Sequence, residues 1–456
     1  MKKILAISVA FIMLLSLLAG CAGTNDAATD TTEPNTENTT ESDTGDAAAE
    51  DSADGEEPSG KLSILTWSES ECQIYAESFN KVYPDIEVEI ILADNGDVYS
   101  KLVSLASSGG EMPDLAYVEM NTRGQHLALD VWEDLSQAPY NFDGSALEDS
   151  LQAAIRDENG RVCIVEQNYN PAGMLYRRSL AKEYLGTDDM DEIMAMIPDW
   201  DAFCEVGAQI YEQSGGTVRA LAGLDEINWM IDSQYTDEIY DAESHTLYLT
   251  KYFTYMFDIM TKLRDNNCVG KVNRWSTDWN ASYSNGTVVF WQYAPWSGTS
   301  AVKPNAEELS GDFSVIRAPG GAYYLGGTGI GMLAGGENKE NAWLFLQHCL
   351  LSDTGVEEAL GQMEMLTPMK DYYVNHPDAT SEDEFFAGQD VNRFLLEEVA
   401  PEMSVRAPSA YDGSIKTVTA TVMGLIQDDP NMTCEDAVAA AMDEIALLLP
   451  TDVTVE

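Results

Sequence analysis

Between residues 61 and 118 the chain alternates between the two spacings of apolar residues that distinguish strands from helices. Short apolar runs at 61–66, 86–92 and 114–118 have the length and composition of strands. Between these runs apolar residues recur every three or four positions, as in amphipathic helices. A strand, helix, strand, helix, strand order requires parallel pairing with right-handed crossovers. The sequence therefore predicts an α/β fold that begins with a parallel sheet.

Polar and aromatic residues follow the first and third of these predicted strands. Trp67 and Ser68 come after the first strand, and Glu119 and Asn121 come after the third. Open parallel sheets bind their ligands at the carboxyl ends of the strands. We therefore expect these four residues to contact a ligand.

The first 59 residues have the pattern of an export signal followed by a tether. Lys2 and Lys3 precede an apolar run that is short for a membrane span, and the run closes on small residues before Cys21. This pattern resembles a bacterial lipobox, which implies a signal peptide at 1–20 and a lipid anchor on the Cys21 thiol. Residues 22–59 contain twelve acidic residues and no Lys or Arg, so we expect 21–59 to be a lipidated cysteine and a disordered acidic tether.

The charge of the remaining chain excludes one class of partner and leaves another open. The whole sequence has a formal net charge of −54, of which −44 belongs to residues from Gly60 onward. Such a surface repels a phosphate backbone, so we expect no nucleic acid partner. The same surface is compatible with a cationic solute such as a polyamine.

Cysteine and histidine spacing gives no support for a metal site or a cofactor. Six cysteines besides Cys21 are scattered without a CxxC motif, and the four histidines form no HExxH motif. In an exported protein one or two disulfides are possible, but the sequence does not show which cysteines would pair. We expect no metal and no cofactor.

Trp67 and five later stretches of sequence form a series along the chain. The stretches are SLASSGGEMPDLAYV at 104–118, AGMLYRRSLAKEY at 172–184, PDWDAF at 198–203, GTVVF with APW at 286–296, and GGTGI with NKENAWLFL at 326–346. In this order they resemble the carbohydrate-binding group of bacterial extracellular solute-binding proteins, typified by maltose-binding protein. Arg177 and Arg178 stand where the family usually has asparagine and lysine. The likeness covers most of residues 61–370, and the tail matches only as two closing helices.

The resemblance implies a two-lobed periplasmic-binding-protein-like fold of type II, with a ligand cleft between the lobes. Each lobe should be a mostly parallel sheet flanked by helices. We expect the first lobe to comprise 60–165 and 290–336, and the second to comprise 166–289 and 337–456. The chain should cross near 164–168, return near 289–292 and cross again near 334–337.

Aromatic residues at predicted strand ends and turns are the main candidates for contacts with the solute. A flat aromatic ring packs against the C–H face of a sugar, and neighbouring polar groups satisfy its hydroxyls. The ligand-binding candidates, in addition to the four at the first sheet, are Tyr169, Trp229, Trp291, Gln292, Trp296 and Tyr324. Core packing is the competing interpretation for each ring.

The resemblance implies a membrane-anchored, extracellular binding protein of an ABC importer, monomeric, which delivers a sugar or oligosaccharide to permease subunits. A solute-binding lipoprotein that serves a sensor kinase or chemoreceptor is the alternative. A secreted glycosidase is a further alternative, but no nucleophile elbow, phosphate loop or metal motif is present in the sequence. We therefore expect a protein that is not an enzyme.

Overall fold

The computed structural model describes residues 57–456. The predicted signal peptide, the lipid attachment at Cys21 and nearly all of the tether lie outside the described residues. Within 57–456 no helix combines the length and the apolar character needed to cross a membrane. All six cysteines in this part of the chain are free thiols, and five of them are buried.

Twelve strands and seventeen α-helices are described, besides short 3-10 and π segments. The strands are β1 (Gly60–Thr66), β2 (Ile86–Leu92), β3 (Leu115–Glu119), β4 (Ile164–Glu166), β5 (Pro171–Arg177), β6 (Tyr240–Asp241), β7 (Thr246–Leu247), β8 (Phe290–Tyr293), β9 (Phe313–Ile316), β10 (Tyr323–Tyr324), β11 (Thr328–Met332) and β12 (Thr454–Val455). The helices are α1 (Glu69–Val82), α2 (Val98–Ser108), α3 (Arg123–Leu127), α4 (Arg178–Leu185), α5 (Met190–Met196), α6 (Trp200–Gln213), α7 (Leu224–Gln234), α8 (Leu249–Asp265), α9 (Thr277–Asn285), α10 (Pro295–Ser297), α11 (Lys303–Ala306), α12 (Lys339–Leu351), α13 (Asp353–Met363), α14 (Tyr372–Asn375), α15 (Val391–Phe394), α16 (Asp412–Asp428) and α17 (Cys434–Leu448).

The first sheet has the strand order β2-β1-β3-β11-β4. The pairs β1–β2 and β1–β3 are parallel, which confirms the predicted βαβαβ start, and β11 runs antiparallel to both β3 and β4. Helix α1 buries a stripe that includes Cys72, Tyr75 and Phe79, at the helical spacing of the sequence. The carboxyl ends of β1 and β3 therefore lie side by side at one edge of this sheet.

The second sheet is built around β5, which pairs with β8, β9 and β10. These three pairings are antiparallel, so the expectation of a mostly parallel sheet in each half is wrong for this sheet. Parallel pairing in this half is found outside this sheet, in the short pair β7–β12 and in isolated bridges that join residue 219 to 288 and residue 221 to 269.

Several elements join a different sheet or core from the one that the expected lobe boundaries assign to them. Strands β8 to β10 fall within 290–336 but belong to the second sheet. Helix α12 falls within 337–456, yet its Phe345 and Leu346 pack in the core of the first sheet. Helices α16 and α17 pack with α8 in the core of the second sheet. Apolar periodicity identifies these elements as core elements, but it cannot say which of two cores they join.

The chain passes between the sheets at three places. It leaves β4 at Glu166 and enters β5 at Pro171, and it returns between Tyr324 of β10 and Thr328 of β11. A third connection follows α13, where Leu366 forms a bridge with Tyr169. The return and the third connection therefore lie later in the chain than the expected 289–292 and 334–337.

Candidate functional site

A cavity of about 500 Å³ lies between the two sheets, beside their connecting segments. This volume is within the usual range for small-molecule sites. We call it the tryptophan cavity; its aromatic and polar lining includes Trp67, Ser70, Glu71, Asn95, Glu119, Asn168, Trp229, Trp275, Trp296, Thr299, Ser300, Thr328 and Gln362. A larger cavity of about 680 Å³ is lined chiefly by residues 357–392 and contains none of the predicted ligand-binding residues. The tryptophan cavity combines residues from the carboxyl ends of the first sheet, from the second half and from the connections.

Two residues reach the tryptophan cavity from the ends of the parallel strands of the first sheet. Trp67 follows β1 and makes an edge contact with Tyr117, with 5.5 Å between ring centroids. Glu119 ends β3, and its carboxylate accepts hydrogen bonds from the backbone and side-chain nitrogens of Asn121, at 2.8 and 2.5 Å. Burial raises the pKa of Glu119, although Lys416 and the Asn121 hydrogen bonds oppose the rise. The first half thus supplies one aromatic face and one fixed carboxylate.

Helix α1 places a second carboxylate in the cavity through Glu71 in its first turn. Ser68 is the N-cap of this helix, and its hydroxyl oxygen accepts from the Glu71 backbone N–H at 3.4 Å. The Glu71 carboxylate accepts from the Gln167 side chain at 3.1 Å, which links it to the connection between β4 and β5. Burial raises the pKa of Glu71, and the hydrogen bonds from Gln167 and Ser68 oppose the rise.

Three tryptophans form the wall on the side of the second half, which we call the tryptophan wall (Trp229, Trp275 and Trp296). Trp275 and Trp296 stack with 5.9 Å between centroids, and the Trp296 indole N–H donates to the Leu325 carbonyl at 3.1 Å. The guanidinium of Arg274 lies 4.1 Å from the centre of the Trp229 ring. Trp275 is 52% exposed and has a φ of 62°, a conformation that is unusual for a bulky residue. Such backbone outliers cluster at ligand sites.

The connections between the sheets supply the floor of the tryptophan cavity. The Asn168 side-chain oxygen accepts from the Thr328 N–H and from the Asn170 amide, both at 3.0 Å. Gly326 and Gly327 have φ values of 68° and 121°, and a Cβ on Gly327 would lie 2.9 Å from the Tyr324 ring. Glycine is therefore required at position 327 for the backbone to pass this close to the tyrosine.

Of the ten predicted ligand-binding residues, Trp67, Glu119, Trp229 and Trp296 line the tryptophan cavity. Asn121 and Tyr324 line a smaller neighbouring cavity instead. Ser68 caps α1, as described above. Tyr169 and Tyr324 are buried and pack at the connections, where the Tyr324 hydroxyl donates to the Asn168 carbonyl at 3.1 Å.

Trp291 and Gln292 were predicted to face a ligand, but the structure buries both of them. Trp291 is completely buried, stacks on Tyr283 and donates its indole N–H to the Ser282 hydroxyl at 2.9 Å, so it is a core residue. Gln292 is also buried, with its amide against Arg274 and the Glu226 carbonyl. Both lie within β8, which is a strand of the second sheet rather than a connection between the halves. The competing core interpretation was therefore correct for Trp291.

Among the residues that line the cavity but were not predicted from the sequence are Glu71, Asn168 and Trp275. Asn168 belongs to the polar run Glu166 to Asn170, which is buried in the structure. A polar run at an expected connection between the lobes was the signal available for it in the sequence. Trp275 stands in a short segment between α8 and α9 and outside any helical stripe. Nothing in the sequence marked Glu71 as a site residue, because acidic residues are favoured in the first turn of any helix.

The arrangement suits a polar ring compound. Aromatic faces lie on both sides of the tryptophan cavity, and carboxylates and amides that accept or donate hydrogen bonds lie beside them. Among residues 57–456 no cluster of three or more His, Cys, Asp or Glu residues could hold a metal ion.

Known structures share this architecture at low sequence identity. A protein described as extracellular solute-binding protein family 1 is 18% identical, with a TM-score of 0.74, over 86% of this chain and 99% of its own. The galacto-N-biose-/lacto-N-biose I-binding protein of an ABC transporter from Bifidobacterium longum, solved with lacto-N-biose, is 17% identical, with a TM-score of 0.68, over 87% and 98%. The sugar-binding protein MalE from Xanthomonas citri is 16% identical, with a TM-score of 0.67, over 85% and 97%. These likenesses establish the two-lobed fold.

The family is established by the sequence rather than by these structures. None of the curated proteins compared with the chain matches it significantly. The family model described as bacterial extracellular solute-binding protein matches residues 75–387, which is more than half of the chain. The chain belongs to the bacterial extracellular solute-binding protein family, whose members are binding proteins rather than enzymes.

Proposed function

We propose that this protein is the extracytoplasmic substrate-binding lipoprotein of an ABC importer and that it captures a sugar or oligosaccharide in the tryptophan cavity. The observation that carries the proposal is the position of that cavity between two sheets, with Trp67 on one side and the tryptophan wall on the other. An indole face excludes water from the C–H face of a sugar ring. Glu71 and Glu119 would accept hydrogen bonds from the hydroxyl groups, and the Asn168 amide nitrogen would donate one.

The three connections between the sheets support a role in transport. They divide the folded part into two lobes that can close over a solute by rotation about residues 167–170, 325–327 and the segment after α13. The closed form is the one in which both lobes together would contact the permease subunits. A monomer suffices for this cycle, because the lining of the cavity comes from one chain.

The lipobox-like sequence that ends at Cys21 is the basis for the proposed membrane attachment. A diacylglyceryl group on this thiol would hold the protein on the outer face of the cytoplasmic membrane, since two acyl chains give stable anchoring. The acidic tether would then let the folded part reach both the solute and the permease.

A thermal-shift screen tests the binding proposal. Neutral oligosaccharides, sugar acids and polyamines are each added to the purified protein, and unfolding temperatures are compared. A ligand at one hundred times its dissociation constant adds about 2.7 kcal/mol to the free energy of unfolding. Stabilisation by a neutral sugar supports the proposal. Stabilisation by polyamines alone, or by no member of the panel, contradicts it.

A further inference from the structure

A fully buried carboxylate lies behind the tryptophan wall. Glu226 is in the first turn of α7, and it has no exposed surface. One carboxylate oxygen accepts from the indole N–H of Trp279, and the other accepts from the Gln292 backbone N–H at 3.0 Å. A buried carboxylate is costly unless its surroundings compensate it, so this position calls for an explanation.

The first of these hydrogen bonds leads to the tryptophan wall through a chain of aromatic contacts. Trp279 is buried, and its ring packs on Trp275 with 5.2 Å between centroids. Trp275 in turn stacks on Trp296 at 5.9 Å. The carboxylate of Glu226 therefore fixes the one buried indole against which the exposed Trp275 is placed.

A second set of contacts leads from Glu226 to the remaining tryptophan of the wall. Arg274 is the cation that acts most strongly on Glu226, and its guanidinium lies over the Trp229 ring at 4.1 Å. The Gln292 amide lies between the Glu226 carbonyl and the Arg274 guanidinium and contacts both. All three tryptophans of the wall are thus connected to one carboxylate, two of them through Trp279 and one through Arg274.

We propose that Glu226 is a positioning residue for the tryptophan wall and that its ionisation makes solute affinity depend on pH near neutrality. This inference rests on the proposed function, because it concerns the same cavity. The titratable groups that act on Glu226 or respond to it are Arg274, Asp225 on the same helix, Tyr283 of α9 and Tyr323 of β10. Of these groups only Arg274 is a cation that offsets its negative charge.

The direction of the pH effect follows from the contacts. Burial raises the pKa of Glu226 to about 7, and Arg274 and the hydrogen bonds from Trp279 and Gln292 oppose the rise. The ionised form attracts Arg274 and accepts both N–H donors, so it holds the wall in place. Protonation removes the charge opposite Arg274 and weakens both hydrogen bonds. Solute affinity should therefore fall as the pH drops through 7.

The size of the effect follows from the ionised fraction. For a pKa of about 7 the ionised fraction falls roughly tenfold between pH 8 and pH 6. If only the ionised form binds the solute, the apparent dissociation constant rises by about the same factor. A flat affinity profile across this range contradicts the inference.

Glu226→Gln is the direct test, because glutamine keeps the shape and cannot ionise. The control is Glu205→Gln, which changes an exposed glutamate on α6. Intrinsic tryptophan fluorescence of the solute-free protein is titrated from pH 5.5 to 8.5, and the affinity for the best solute of the screen is measured over the same range. A fluorescence transition near pH 7 in the parent and the control, absent from Glu226→Gln, supports the inference. An identical transition in all three proteins overturns it.

Two further measurements distinguish failure of the inference from failure of the proposed function and from failure of the variant to fold. If no solute binds the parent, the proposed function fails, but the fluorescence titration still tests whether Glu226 positions the wall. If Glu226→Gln does not fold, Trp279→Phe removes the indole donor and keeps an aromatic ring. This variant should move the fluorescence midpoint to higher pH, because the ionised carboxylate loses a hydrogen bond. An unchanged midpoint in Trp279→Phe overturns the inference.

Discussion

Replacement of Arg123 by methionine should destabilise the protein severely. The guanidinium of Arg123 and the carboxylate of Glu166 form an ion pair in which neither side chain has exposed surface. Arg123 also donates to the backbone carbonyls of Val118 and Ala154, at 3.2 and 3.4 Å. Methionine fills most of the volume but leaves Glu166 as an uncompensated buried charge. The loss of one partner of such a pair costs about 3–5 kcal/mol.

Urea unfolding followed by circular dichroism at pH 7 measures this cost. The matched comparison is the double variant Arg123→Met with Glu166→Leu, which removes both charges. It should be clearly more stable than Arg123→Met alone, because apolar replacement of a whole buried pair is often neutral. Burial raises the pKa of Glu166 and Arg123 opposes the rise, so the single variant should recover stability as the pH falls and Glu166 becomes protonated. A cost below about 1 kcal/mol for Arg123→Met, or a double variant no more stable than the single one, would refute this reasoning.

Three further predictions concern the core, the buried glutamate and the anchor. Trp291→Ala should lower the free energy of unfolding by about 3–5 kcal/mol, and Trp296→Ala by clearly less because its ring is only partly buried; equal losses in urea unfolding would contradict this. The pKa of Glu226 is about 7 when folded and near 4.5 when unfolded, so its contribution to stability is present below pH 4.5 and is lost as the pH rises to 7. Glu226→Gln should remove that slope, about 3 kcal/mol in all, from unfolding measured at several pH values. Cys21→Ser should release the protein into the medium or leave an uncleaved precursor, and fractionation that finds it processed and membrane-bound would contradict the anchor.

Local patterns predicted the first sheet and two of the strand-end residues that line the tryptophan cavity. Strands have a two-residue period and helices a 3.6-residue period, so the βαβαβ start could be read directly, and with it the positions of Trp67 and Glu119 at strand ends. For Trp67, Glu119 and Trp296 the information lies within a few residues of the site. Trp229 also lines the tryptophan cavity, but it lies within helix α7 and not at the strand end or turn where the sequence pattern places it.

Predictions failed where the outcome depends on contacts that are distant in sequence. The residues of β8 look like a strand that could belong to either sheet, and only its pairing with β5 makes Trp291 a core residue. Helix α12 has an apolar composition that fits either core, and only its packing beside α1 assigns it to the first. Glu226 looks like an ordinary acidic residue in the first turn of a helix, and its burial depends on Trp279, Gln292 and Arg274 from three later segments.

The most direct test of the central claim is the solute affinity of Trp67→Ala, measured by calorimetry beside Trp343→Ala. Trp67 lines the tryptophan cavity, whereas Trp343 packs on Tyr140 and Phe142 in the first core. Loss of an indole face against a sugar is worth about 1–3 kcal/mol, so Trp67→Ala should bind about 5- to 150-fold more weakly. Trp343→Ala should lose stability and keep the parent affinity in its folded fraction. If instead Trp67→Ala binds as tightly as the parent, the solute does not bind in the tryptophan cavity.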